Sequence, residues 1–290
     1  MCGIAGFWNH RTGRPADRGL AAAMTRQLRH RGPDAQGLWV REDLALGNRR
    51  LQVVDPEGGR QPMSNGDGSV RVVFNGEIYN HDTLRSDLRS RGHRFETHSD
   101  TETVAHAYEE WGETCVERFN GMFALAAWNA RRQELFLARD RLGIKPLYVH
   151  RGREGVAFAS ELKSLVLLPW LPLRWDLEAV DDYMTYEFVP APGAIVEGVE
   201  KMRPGTMMRI RREGAVGGGA RSYWRPRPAE DIPQSPEAAA TGLRRRLRKS
   251  VERRLMADVP LGAFLSGGID SSIIVALMDR ALPSGVDTFS

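Results

Sequence analysis

Met1-Cys2-Gly3-Ile4-Ala5-Gly6-Phe7-Trp8 opens the chain, an apolar run with a cysteine in second place. If Met1 is removed, which the small second residue permits, Cys2 carries two useful groups at once. Its thiol is a nucleophile, and its α-amino group, with an ordinary pKa of about 7.7–8.0, can serve as the base. Gly3 and Gly6 allow close backbone approach. By itself a Met-Cys start says little. The weight falls on what the rest of the sequence supplies around such a nucleophile.

A thiolate that attacks an amide needs donors for the negative oxygen it creates. Asn75-Gly76 offers a side-chain amide and a backbone N–H. It lies between two strand-like runs, Arg71–Phe74 and Glu77–Tyr79, where Asn-Gly is also the strongest short hairpin signal. Taken locally, a plain turn is the favoured reading. A free amino acid as substrate further needs a cation for its α-carboxylate and an anion for its α-ammonium. Arg50, with a fork that binds carboxylates bidentately, and Asp100 are of the right types. Neither has a local partner in the sequence, and spacing alone does not tie them to Cys2. Cys115, in a helical stretch near Trp111 and Phe119, reads as a packing residue.

A hydrophobic fraction of 41% and a charged fraction of 27% over 290 residues fit a soluble globular protein with one large domain or two ordinary ones. No early run of about 18 apolar residues occurs, so no membrane span is expected. The apolar start lacks a basic leader and breaks at Asn9-His10-Arg11, which argues against a signal peptide. Two cysteines are too few for a disulfide framework or a cysteine-based metal site. The expectation is a cytoplasmic protein. The net charge of +4 raises the question of nucleic acid, and the densest basic run is Arg244-Arg245-Arg246-Leu247-Arg248-Lys249. It sits in a helical pattern whose apolar positions are Leu243, Leu247, Val251 and Leu255. That predicts a helix with one buried stripe and a solvated basic face, with no nucleic-acid partner.

Up to about residue 212 the pattern mixes short strands and helices. Thr101–Trp111 is a predicted helix, and Met122–Trp128, Glu134–Ala138 and Val156–Ala159 are predicted strands apolar enough to be covered on both faces. Residues 213–238, with Gly214, Gly217, Gly218, Gly219, Pro226, Pro228, Pro233 and Pro236, read as a linker. Residues 239–290 then hold the basic helix, an apolar strand Val259–Leu265, and Ser266-Gly267-Gly268-Ile269-Asp270-Ser271-Ser272 ahead of an apolar helix Ile273–Met278. Strand, glycine turn, helix is the opening of a nucleotide-binding α/β unit. Gly267 and Gly268 let backbone N–H groups converge, the helix start adds partial positive charge, and Ser266, Ser271 and Ser272 add hydroxyls. This is a phosphate cradle without the Gly-Lys-Ser/Thr of a Walker loop, and Asp270 is a candidate Mg²⁺ ligand. One such unit cannot bury a parallel sheet on both faces, so a second domain cut short is expected.

Ten segments then occur in order. They are Met1-Cys2-Gly3-Ile4-Ala5-Gly6, His30-Arg31-Gly32-Pro33-Asp34, Arg50-Leu51, Gln61-Pro62-Met63 and Phe74-Asn75-Gly76-Glu77-Ile78-Tyr79-Asn80. After these come Ser99-Asp100-Thr101-Glu102, Phe119-Asn120-Gly121-Met122-Phe123-Ala124, Ala138-Arg139-Asp140-Arg141-Leu142-Gly143, Lys145-Pro146-Leu147-Tyr148 and Phe158-Ala159-Ser160-Glu161. Together they resemble the class II glutamine amidotransferase domain of glutamine-hydrolysing asparagine synthetases. The resemblance implies an α+β fold for residues 1–212, an N-terminal-nucleophile αββα sandwich of two sheets between helical layers. The start of an α/β pyrophosphate-loop domain, of the adenine nucleotide α-hydrolase type, would follow.

Carried over residue by residue, the resemblance implies that Cys2 attacks the side-chain amide of glutamine, with Asn75 and Gly76 as the oxyanion hole. Arg50 would hold the substrate carboxylate, Asp100 and Glu77 its amino end, and the Leu51 and Val53 backbone would line the site. No cofactor is implied for this half. For the other half, the resemblance implies ATP and Mg²⁺, with Leu265, Ser266, Gly267, Gly268, Asp270, Ser271 and Ser272 at the pyrophosphate. Aspartate would be adenylated there and ammonia would displace AMP to give asparagine. A homodimer fits the family, and no membrane partner is implied. Asn48, where relatives often carry histidine, and Gln52-Val53, where Ser-Ile is more usual, depart from the pattern without removing a catalytic group. Two alternatives stay open: the same design amidating another carboxylate, on a peptide or cell-surface polymer, and a non-catalytic fragment.

Overall fold

Apolar side chains in the first half alternate with a period of two, and in a strand that period sends neighbours to opposite faces. In β1 (Gly3–Trp8) all six residues are buried. Ile4 and Trp8 join one core cluster, Ala5 and Phe7 another. A strand apolar on both faces must be covered on both, which forces a layered structure. The computed structural model describes residues 1–215, 219–228, 235–283 and 285–290, and the chain divides into two compact units, Met1–Arg225 and Pro226–Ser290.

The first unit begins with β1, α1 (Arg18–Arg26), β2 (Ala35–Arg41), β3 (Leu44–Arg50), β4 (Met63–Ser64), β5 (Val70–Ile78), α2 (His81–Ser90) and α3 (Asp100–Trp111). It continues with α4 (Cys115–Arg118), β6 (Gly121–Asn129), β7 (Glu134–Arg139), β8 (Tyr148–Arg151), β9 (Val156–Ala159), α5 (Leu162–Leu165) and α6 (Leu177–Tyr186). Then come β10 (Val199–Lys201), β11 (Thr206–Arg211), β12 (Gly214–Ala215) and β13 (Arg221–Ser222). One sheet runs β10-β8-β9-β1-β3-β2; the other runs β12-β11-β7-β6-β5-β4, with β13 also paired to β11. Val73, Ala124, Ala126, Leu135 and Leu137 of the second sheet meet Ile4, Trp8, Leu44, Leu46 and Phe158 of the first between the sheets. Helix α1 and α5 cover the outer face of the first sheet, and α2, α3 and α4 cover the outer face of the second. The layers are therefore α, β, β, α, as the sequence resemblance implies. Cys115 lies fully buried in the outer cluster under α3, a packing residue.

The segment expected to be linker from residue 213 differs at its start. β12 and β13 add to β11, the Tyr223 side chain packs on the outer core, and its hydroxyl donates to the Arg139 carbonyl at 2.9 Å. An aromatic anchor overrides the local Gly and Pro signals there. Residues 216–218 and 229–234 of the same expected linker lie outside the described residues.

In the second unit, α7 (Pro236–Arg253) precedes β14 (Gly262–Phe264), α8 (Ile269–Ala281) and β15 (Asp287–Phe289), and β14 pairs parallel to β15. The strand is shorter than the expected Val259–Leu265 and the helix longer than Ile273–Met278, because the helix already starts at the glycine turn. The expected buried stripe of α7 is only partly realised: Val251 is buried while Leu243 is 58% exposed. Two strands and two helices here leave apolar side chains such as Phe264 and Ile269 in the open. Among the described residues, no helix is long and apolar enough to cross a membrane.

Candidate active site

Strand register sets Cys2. Gly3 pairs with Arg49, so the residue before β1 meets the chain as it leaves β3 at Arg50-Leu51. The Leu51 N–H points at the Cys2 sulfur at 3.4 Å, and the thiol lies 3.6 Å from the Leu51 carbonyl. Arg31 holds the same place from the other side, donating from Nε to the Cys2 carbonyl at 2.9 Å and from Nη1 to Glu161 at 2.9 Å. Gly32 follows because a Cβ there would stand 2.3 Å from the Arg49 carbonyl carbon. Asp34 accepts from the Gln52 N–H at 2.9 Å. The run His30–Asp34 is thus the clamp around the Cys2 end of β1.

Asn75-Gly76 is not a turn. β5 runs through it without a break, pairing Asn75 with Ala124 and Gly76 with Phe123 of β6, and neither residue has a positive φ. Nine consecutive pairs with β6 outweigh the local turn preference. Glycine is required at 76 by close packing, since a Cβ would lie 2.2 Å from the Met122 carbonyl oxygen. Asn75 is 1% exposed, and neither its Nδ2 nor its Oδ1 has a hydrogen-bond partner among the described residues. A buried amide left unbonded costs about 1–3 kcal/mol, so an atom of a ligand or water in the adjoining space would stabilise it. Beside it, Asn48 Nδ2 reaches the Gly3 and Phe74 carbonyls, both at 3.4 Å, and so bridges the two sheets behind the site.

Arg50 and Asp100 turn out to have partners that the sequence does not show. The Arg50 guanidinium, 4% exposed, donates to the carbonyls of Val54 (2.8 Å), Asp55 (2.6 Å) and Pro56 (2.9 Å). The chain after Leu51 therefore wraps its own cation. Asp55, at φ 47°, ties that loop to the N–H of His98 at 2.8 Å, just ahead of α3. Asp100 opens α3 and accepts from the Ile78 N–H at 3.0 Å. Burial, with Glu77 nearby, lifts its carboxyl from the usual 3.8 to about 7, although the Ile78 and Thr101 N–H groups and Arg50 oppose the rise.

These groups surround one cavity of about 140 Å³. Its lining brings together every residue expected for the glutamine pocket: Cys2, Arg50, Leu51, Val53, Asn75, Gly76, Glu77 and Asp100. It also includes Met1, Val54, Gln61, Met122 and Lys145. Lys145 carries no local signal of a site residue in the run Lys145-Pro146-Leu147-Tyr148. The Asp140 carboxylate gathers the N–H groups of Phe123, Leu142, Ile144 and Lys145, folding the 140–145 loop so that the lysine turns inward. Burial lowers the Lys145 ammonium's pKa, with Glu77 and Cys2 pulling it back up. Burial likewise raises the Cys2 thiol, opposed by the Leu51 N–H, the terminal amino group and Arg50.

In the second unit, Gly267 has φ 78° and open space around the position of a Cβ, and α8 starts at Gly268 with no side-chain cap. Uncapped N–H groups at the start of a thirteen-residue helix fit an anion. The Ser271 and Ser272 hydroxyls donate to the Gly268 carbonyl at 3.0 and 2.8 Å, and Ser266 lies 3.1 Å from Ser271. Leu265 is held by the Phe289 carbonyl at 2.8 Å, and Asp270 sits in the first turn. The uncapped start of α8 fits a phosphate group.

The family model for the glutamine amidotransferase domain matches residues 1–224, and that for asparagine synthase matches residues 242–290. Asparagine synthetase [glutamine-hydrolyzing] 3 of Bacillus subtilis (strain 168) is 37% identical over 281 residues, covering 96% of this chain and 45% of that protein. Asparagine synthetase [glutamine-hydrolyzing] 2 of Arabidopsis thaliana is 39% identical over 283 residues, covering 97% and 43%. The chain thus spans about 45% of the length of the curated relatives it matches. Among solved structures, glutamine phosphoribosylpyrophosphate amidotransferase from B. subtilis aligns with a TM-score of 0.55 at 18% identity, over 99% of this chain and 65% of that one. At that identity the likeness shows the fold alone.

Proposed function

Because this chain belongs to the glutamine amidotransferase domain family, we propose that its first unit hydrolyses glutamine to glutamate and ammonia with Cys2 as the nucleophile. The observation that carries this reading is the unbonded, buried Asn75 amide in the same cavity as Cys2. Loss of Met1 frees the Cys2 α-amino group, which takes the thiol proton. The thiolate adds to the side-chain carbonyl carbon of glutamine, and the resulting oxyanion is held by Asn75 Nδ2 and the Gly76 N–H. The protonated amine gives its proton to the departing nitrogen, ammonia leaves, and a thioester remains. Water, losing a proton to the same amine, adds to the thioester; glutamate departs and the thiol regains the proton. Asp100 and Glu77 take the α-ammonium of the substrate. Arg50 takes the α-carboxylate with the N–H groups its three backbone carbonyls leave over.

For the whole protein, the asparagine synthetase relatives support passing the ammonia to an activated aspartate. ATP would supply the activation. Residues 265–272 would hold its phosphates at the start of α8, with Asp270 for Mg²⁺. A second domain over 239–290, a cytoplasmic location and a homodimer belong to the same proposal. The test is glutamate release from glutamine by the chain and by Cys2→Ala, with the N-terminal residue identified by intact mass. Release confined to the unaltered, Met1-free chain supports the reading; equal release by both proteins overturns the nucleophile.

A further inference from the structure

His93, in the segment between α2 and α3, faces His106 on α3 with the two Nδ1 atoms 3.1 Å apart. Glu109, one turn further along α3, brings Oε2 to 3.6 Å from His93 Nδ1 and 3.4 Å from His106 Nδ1. Two ring nitrogens and a carboxylate oxygen thus form a nearly equilateral triangle. Either a proton or a cation must reconcile atoms placed so closely.

With both rings neutral, a shared proton leaves a conflict. His93 Nε2 lies 3.1 Å from Glu110 Oε2, so it is the N–H and the neutral ring's Nδ1 is an acceptor. His106 Nδ1 would then have to donate, leaving His106 Nε2 a bare acceptor. That atom is buried and without a hydrogen-bond partner, and Glu102 Oε1, another acceptor, lies 4.0 Å away. A charged ring would instead be an imidazolium held among carboxylates: His93 between Glu109 and Glu110, or His106 beside a Glu102 whose oxygens already accept from Glu96 and Thr97. A cation at the triangle turns both Nδ1 lone pairs to use and puts a proton on each Nε2. Each of those N–H groups then faces a carboxylate, Glu110 and Glu102, the outer-shell arrangement that orients metal-bound histidines.

We propose that His93 Nδ1, His106 Nδ1 and Glu109 Oε2 bind a divalent transition ion of the zinc class. Tetrahedral bonds of about 2.0–2.2 Å place ligand atoms roughly 3.3–3.5 Å apart, and the observed separations of 3.1, 3.4 and 3.6 Å straddle that range. Imidazole ligands exclude Mg²⁺ and Ca²⁺ as the favoured occupant. The Glu109 side chain is 29% exposed, so the fourth position opens toward water. The ion would staple the 93–99 segment to the helix that begins with Asp100.

The test uses the full, tag-free chain carrying Cys2→Ala, which removes the Cys2 thiol as a competing ligand. After chelator treatment, ZnCl₂ and MgCl₂ are titrated by calorimetry, and thermal unfolding is followed by tryptophan fluorescence. One zinc per chain is expected, with a higher Tm in zinc and none of this in magnesium. Glu109→Gln and His106→Gln should each weaken zinc binding by about tenfold or more. If His106→Gln does not fold, Glu109→Gln decides, since its side chain lies at the surface. No zinc binding, or binding unchanged in Glu109→Gln, overturns the site.

Discussion

Asp100→Asn exchanges a buried carboxylate for a neutral amide of the same shape, and the structure sets opposite consequences for stability and for substrate. Burial raises the carboxyl from 3.8 to about 7 in the native state. The native chain therefore holds this proton more tightly than the unfolded chain does. Its contribution to stability is full below pH 3.8, is lost as the pH rises to about 7, and is flat above that. The loss is on the order of 4 kcal/mol at pH 8 and about 2 kcal/mol at pH 5. Asparagine has no such dependence, so the variant should gain about 2–3 kcal/mol more over the parent at pH 8 than at pH 5. For a unit of this size that is roughly 5–10 °C in Tm. All seven tryptophans lie in the first unit, so their fluorescence follows its unfolding alone. Glutamine binding runs the other way. If Asp100 receives the α-ammonium, the parent's KM should rise about tenfold per pH unit below 7, and the variant should bind poorly with no such slope. A variant whose Tm advantage is the same at both pH values, or whose KM keeps the parent's pH profile, refutes the reasoning.

Asn75→Ala should lower kcat by about 10²–10³ with little change in KM. Its Tm should hold or rise, because an unbonded buried amide is removed; a lower Tm with kcat intact would make Asn75 a structural residue. Gly76→Ala forces a Cβ to 2.2 Å from the Met122 carbonyl oxygen, so β5 and β6 must separate, and both Tm and glutaminase activity should fall. Recovery of a parent-like Tm in that variant would show that the strand pair gives way freely. Arg50→Lys offers one ammonium where three carbonyls are met, so the 54–56 loop should exchange its amide hydrogens faster and KM for glutamine should rise on the order of tenfold or more. Unchanged exchange in that loop would dismiss the wrapped-cation account.

What the sequence conveys about the fold depends on how local the deciding interaction is. β9 (Val156–Ala159) was legible to the residue because its four apolar positions are all buried. The Tyr223 anchor was not, because its partners Gly205 and Arg139 are far away in the chain and the glycines around it dominate any local window. The cation of Arg50 looked unpartnered for a different reason. Its partners are backbone carbonyls four to six residues on, and any residue type can supply those. Lys145 gives no local signal because its inward turn is produced by Asp140, whose carboxylate gathers four backbone N–H groups.

The two readings of Asn75-Gly76 exclude each other, and the period-two rule tells them apart. Val73 faces the space between the sheets while Phe74 faces the outer helices. In an unbroken strand Asn75 and Glu77 must follow Val73, toward the inter-sheet layer. The same phase on β1 carries Trp8 and Ile4 back to Cys2, and on β3 carries Leu44 and Leu46 on to Asn48 and Arg50. Nucleophile, donor and cation thus lie on the inward-facing rows of β1, β5 and β3 that meet between the sheets, with Glu77 one step beyond the donor. A turn at Asn75 would have broken the β5 row and sent the amide to solvent, where water would satisfy it. The unbonded amide and the unbroken strand are one fact, and Cys2 gains its chemistry from the row it heads.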